Sequence, residues 1–70
     1  MRFFFDTVVD GELVKDNVGT VLPDLAAARR KATEGMASMA KEAIVQGART
    51  VQVIVRTDDD VVARTELRIS

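Results

Sequence analysis

The chain has 70 residues, so a single hydrophobic core must serve every element in it. Ten basic and eleven acidic residues nearly cancel, which removes any global attraction to nucleic acid or to an anionic membrane. Neither cysteine nor histidine occurs, and with them go disulfides, thiolate nucleophiles, Cys or His zinc sites and imidazole acid–base chemistry.

Met1 to Asp6 reaches a carboxylate after three consecutive phenylalanines, too short for the apolar core of a signal peptide, and no apolar run approaches the length of a membrane span. The expected compartment is the cytoplasm, with no membrane contact. Arg2 to Val9 is rich in phenylalanine and valine and ends at Asp10-Gly11, a dipeptide suited to a tight hairpin turn with positive φ. Glu12 to Lys15 should return antiparallel, pairing Val8 with Leu13 and Thr7 with Val14; Phe3, Phe5 and Val14 are taken as facing inward. Asp16-Asn17-Val18-Gly19 places Asp first and Gly fourth, as a type I turn prefers, and a short extended stretch leads into Leu22-Pro23.

From Asp24 to Gly47 the pattern is helical. At 100° per residue, Leu25, Ala32, Met36, Met39 and Ala43 share one face, with Arg30, Glu34, Ser38 and Lys41 opposite. Either Asp24 is the N-cap or Pro23 opens the helix, and Gly47 is the expected C-terminal stop. Alanine and methionine dominate the stripe, so the helix can approach a sheet closely. Beyond it, Val51, Val53 and Val55 alternate with Gln52, Ile54 and Arg56. After Asp58-Asp59-Asp60, Ala63, Thr65, Leu67 and Ile69 alternate with Arg64, Glu66 and Arg68. A three-residue loop with Asp60 in the left-handed region pairs Val55 with Ala63, Val53 with Thr65 and Val51 with Leu67, which keeps the core residues on one face. The reading is one α+β domain over 1–70 in β-β-α-β-β order, with one long helix on one face of a four-stranded, mainly antiparallel sheet of open strand order.

Phe3-Phe4-Phe5-Asp6, the Asp10-Gly11 turn, Asp16, Gly19 and Leu22-Pro23-Asp24-Leu25 ahead of an Ala/Arg-rich helix resemble a family of very short alphaproteobacterial proteins carrying only a domain-of-unknown-function label. The resemblance covers nearly the whole chain and implies a bacterial, stand-alone domain. It carries over no activity, ligand or catalytic residue. Asp60 stands where the family tends to have glycine, which bears on the tightness of the last turn.

Each charged cluster has a plain structural reading. Asp58-Asp59-Asp60 lacks the alternating ligands and terminal glutamate of a calcium loop and reads as a turn. Arg29-Arg30-Lys31 fans around the helix and reads as a solvated face, with Glu34 beside Arg30 and the stem of Arg29 along the apolar stripe. Asp6, Asp16 and Glu66 are the carboxylates that strands might bring together, but no nucleophile or phosphate loop accompanies them, so no enzyme, cofactor or metal site is expected. The candidate site is the sheet face turned away from the helix. On this reading it carries Phe4, Ile54 and Val62 with Arg56, Arg64 and Arg68, among Arg2, Asp6 and Glu66. Such a surface suits a homodimer or another protein partner, and its plain reading is a solvated antiparallel sheet whose charges pair across strands. The alternative is a small nucleic-acid-binding or regulatory protein using the arginines, with Phe4 for stacking.

Overall fold

The computed structural model describes residues 1–69. The elements are β1 (Arg2–Val9), β2 (Glu12–Val14), β3 (Thr20–Val21), α1 (Leu25–Val45), β4 (Thr50–Arg56) and β5 (Val61–Arg68). The sheet runs β2-β1-β4-β5, all antiparallel, and β3 joins it by pairing with β1. The expected order and α+β class hold, with one strand added: the stretch before Leu22 pairs Thr20 with Phe3 and Val21 with Arg2. Backbone bonds between Leu22 and Met1 extend this short pairing by one position.

Local chemistry accounts for most boundaries. Asp10 and Gly11 both adopt positive φ, 51° and 83°, and the β1–β2 register is the expected one. Asp24 is the N-cap: its backbone is extended and its carboxylate accepts the Ala27 N–H at 2.8 Å. At the other end Gly47, at φ 81°, follows the cap residue Gln46. The Ala48 N–H reaches the Ala43 carbonyl and the Gly47 N–H the Ile44 carbonyl, a Schellman closure, and Ala43 and Ala48 are both buried in the core cluster.

The helix buries Ala28, Ala32, Met36, Ala40 and Ala43, with Leu25 and Met39 half-buried along its borders. Against it lie Phe3, Val51, Val53 and Val55, all buried. The expected β4–β5 register is met at Val55–Ala63, Val53–Thr65 and Val51–Leu67. The means differ. Asp60 is not in the left-handed region; the turn is Asp58-Asp59, closed by Thr57 N–H to the Asp60 carbonyl at 2.8 Å, with Arg56 opposite Val61. The extra residue is instead Val62, in a bulge beside Val55 and Arg56.

That bulge corrects the placement of Val62. Dropping out of the alternation, it packs against the core cluster rather than on the outer face, and Val61 takes the outward position opposite Arg56. Val14 also departs from expectation, being 63% exposed. It pairs with Thr7, yet α1 lies chiefly over β4 and β5, so β2 extends beyond the helix's cover.

Candidate functional site

The outer face has two unlike halves. Around Phe4, Asp6 and Arg56 it is roofed by the segment between β2 and β3. Around Ile54, Arg64, Glu66 and Arg68 it is open: Ile54 is half-buried between Asp6 and Arg64, and the other three side chains are exposed.

The roofed half is a closed polar network. Asp6 is 6% exposed. Its Oδ2 accepts from Arg56 Nε at 2.7 Å and its Oδ1 from the Asp16 N–H at 2.9 Å. A second Arg56 nitrogen donates to the Asp16 carbonyl at 2.8 Å, and the guanidinium lies 4.5 Å from the centre of the Phe4 ring. Between the β2 and β3 pairings the β1 edge has no backbone partner at Phe5, and the Asp16 carboxylate supplies one by accepting the Phe5 N–H at 3.1 Å. The other Asp16 oxygen accepts from the Val18 and Gly19 N–H groups, closing the turn read from the sequence. Gly19, at φ 77°, lies so close that a Cβ there would stand 2.9 Å from Arg2 Cγ and 3.0 Å from a Phe4 ring carbon.

These contacts govern the ionisation of the carboxylates. Burial pushes Asp6 upward, but the bonds from Arg56 and the Asp16 N–H, with the charges of Arg56 and Lys15, outweigh it and hold the group below its ordinary value. Asp16 is held low by the Gly19, Phe5 and Val18 N–H groups, and Asp10 by those of Arg49 and Thr50.

Of the residues singled out from the sequence, Phe4, Ile54, Arg56, Arg64 and Arg68 do lie on the outer face, and Val62 does not. Phe4 and Arg56 are engaged with each other and with the roof, which removes them from any free surface. Asp6 and Asp16 come together as expected, Asp16 from the segment between β2 and β3, but Glu66 sits two strands away, opposite Gln52. Leu13 was missed. It pairs with Val8 on the outer face and is 57% exposed. The predicted Val8–Leu13 pairing already put it there, once Phe5 and Thr7 are taken as facing the helix. Among the described residues, no three carboxylates are grouped to hold a metal ion, and no helix is long and apolar enough to cross a membrane.

A family model described as DUF6894, a domain of unknown function, matches residues 2–68, and the chain belongs to that family. This agrees with the expectation of a short domain-of-unknown-function family. No curated protein and no solved structure matches the chain.

Proposed function

For this DUF6894 member we propose a non-enzymatic interaction module that works by associating with a second copy of itself. The observation that carries the reading is apolar surface left in water at both flanks of the sheet: α1 lies chiefly over β4 and β5, which leaves Val14 uncovered, while Leu13 and Val61 stand exposed on the outer face. Leu13 and Val14 are 57% and 63% exposed on one flank, and Val61 and Leu67 are 49% and 37% exposed on the other. A chain of this size sits near the limit of independent stability, and association would bury such groups while adding to its core. The non-enzymatic part rests on the carboxylates. Asp6 and Asp16 spend their oxygens on Arg56 and on backbone N–H groups, a structural commitment that leaves neither poised as a base.

The competing nucleic-acid reading needs an aromatic platform and several free arginines. Phe4 is stacked by Arg56 and roofed at Gly19, and Arg56 is bound to Asp6, which leaves Arg64 and Arg68 beside Glu66. Sedimentation of the wild type across a range of concentrations tests the proposal. The expected result is a monomer–dimer equilibrium with a melting temperature that rises with concentration. A monomer throughout overturns it, as does a salt-sensitive complex with a single-stranded oligonucleotide formed by that monomer.

A further inference from the structure

The two edges of the sheet differ in what they offer a second copy. On the β2–β3 side the edge is split into a three-residue and a two-residue strand with the roofing segment between them. On the other side β5 runs for eight residues, Val61 to Arg68, without proline, and pairs only with β4 among the described residues. Its bulge is confined to the Val61–Val62 end, so Ala63 to Arg68 is regular.

The hydrogen-bond phase of this free edge can be read directly. Ile69 donates to the Arg49 carbonyl, and Asp10 donates to the Thr50 carbonyl. In an antiparallel sheet bonding direction alternates, so the odd residues of β5 bond to β4. The N–H and C=O groups of Arg64, Glu66 and Arg68 therefore face outward along the edge. The side chains of these same three residues lie on the outer sheet face, in the order basic, acidic, basic.

We propose that two copies join β5 to β5 in antiparallel fashion about a twofold axis at Thr65, forming one continuous sheet twice as wide. This deepens the self-association reading and rests on it. In that register Arg64 stands opposite the partner's Glu66 in a hydrogen-bonded pair, and symmetry repeats the ion pair. On the helix side Ala63 stands opposite the partner's Leu67, a small residue against a large one that is 37% exposed in the monomer. The seam between α1 and β5 leaves a cavity of about 320 Å³ there, lined by Arg29, Ala32 and Thr33 of the helix and by Val55, Ala63, Arg64 and Thr65 of the strands. The partner's Leu67 would come to this seam beside Ala63.

Neighbouring registers are disfavoured by charge. An axis at Glu66 sets that carboxylate against its own copy and Arg64 against Arg68; an axis at Arg64 sets two guanidinium groups together. An axis at Leu67 restores attraction between Glu66 and Arg68 but sets only Glu66 to Arg68 of β5 opposite one another. The register about Thr65 is the one that combines opposite charges with pairing across the regular part of the strand, from Ala63 to Leu67. Within the protomer Arg64 and Glu66 lie opposite Ile54 and Gln52, which are uncharged, so reversing either charge breaks no cross-strand ion pair of the monomer.

The test uses charge reversal read by sedimentation. Arg64→Glu alone and Glu66→Arg alone should each raise the dimer dissociation constant at least about tenfold, because each sets like charges opposite one another twice. Mixing the two variants in equal amounts should restore association as a heterodimer, since each supplies the charge the other lacks. Circular dichroism should show both variants folded. A wild-type dimer that tolerates both reversals, or a mixture that fails to associate, overturns the β5 pairing. If Leu13→Glu dissociates such a dimer, self-association stands and only its location was wrong. A wild type that is monomeric throughout overturns both.

Discussion

At the β2–β3 edge the chain interrupts its own ladder and fills the gap with a carboxylate, whereas at β5 it leaves a regular strand with its bonding groups turned outward. Interrupted, short edge strands are a common way to discourage intermolecular pairing, while a long regular edge invites it unless charge decides the partner. The closed edge is held by groups far apart in sequence. Asp6 and Arg56 are separated by 50 residues, and both are tied to Asp16. Among the described residues the open edge is paired with β4 alone, and its outward residues alternate in charge. Under the proposed pairing, one side of the chain refuses a partner and the other selects one.

The sharpest way to break the comparison is to remove the centre of the closed edge. Asp6→Ala leaves the Arg56 guanidinium and the Asp16 N–H without their acceptor. Breaking a buried ion pair costs roughly 3–5 kcal/mol, and the partial exposure of Arg56, 21% against 9% for Asp6, lowers the expectation to about 2–4 kcal/mol. Chemical denaturation of the variant checks this, and a loss below about 1 kcal/mol would mean that the roof does not depend on the pair. The same carboxylates set the response to acid. Asp6, Asp10 and Asp16 are all held below the usual value of 3.8, so the stability they confer is complete above that pH and is lost as pH falls through their lower folded values. An acid-unfolding series should show wild-type stability flat above about pH 5 from these groups and falling below pH 4, with a shallower fall in Asp6→Ala.

Much of the frame was legible because it is local. The Asp10-Gly11 turn, the helix from Asp24 to Gly47 and the β4–β5 register each depend on residues close in sequence, and the alternation of Val51, Val53 and Val55 leaves one consistent facing. Strand order and the Asp6–Arg56–Asp16 network were not legible, since nothing local to Asp6 says which arginine will lie on the neighbouring strand. Asp6 and Asp16 could be suspected of meeting, but not of being consumed as acceptors. Val62 was misplaced for a subtler reason. Any single extra residue in the last hairpin gives the same pairing of Val55 with Ala63, so the register alone could not say whether that residue was Asp60 or Val62. Val14 faces the helix side as expected but lies uncovered, because its alternation says which side it faces and not how far the helix reaches.

A smaller effect is expected where the roof closes over Phe4. Gly19→Ala meets Arg2 Cγ at 2.9 Å and Phe4 at 3.0 Å, and it places a side chain on a backbone at φ 77°. The Arg2 stem is flexible and can yield, so the cost should be about 1–2 kcal/mol, more than the left-handed backbone alone would impose. Gly11→Ala is the matched control, with φ 83° and nothing within 4 Å of the added Cβ. Thermal melts of the two variants measure the difference, and equal losses would show that close approach at the roof contributes nothing beyond backbone strain.

The smallest monomer effect is expected at the open edge. Arg64→Gln removes an exposed charge whose cross-strand neighbour is Ile54, so stability measured at dilutions where the protein is monomeric should change by less than about 0.5 kcal/mol. At high concentration the same variant loses the attraction between Arg64 and the partner's Glu66 without introducing repulsion. Its dimer should therefore weaken less than that of Arg64→Glu, and added salt should narrow the gap between wild type and variant by screening the pair that only the wild type has. Melting curves at two protein concentrations and two salt concentrations separate these contributions. A variant that is destabilised equally at every dilution would place Arg64 within the protomer's own fold, and the contrast between a closed and an open edge would then fail on the side where it predicts a partner.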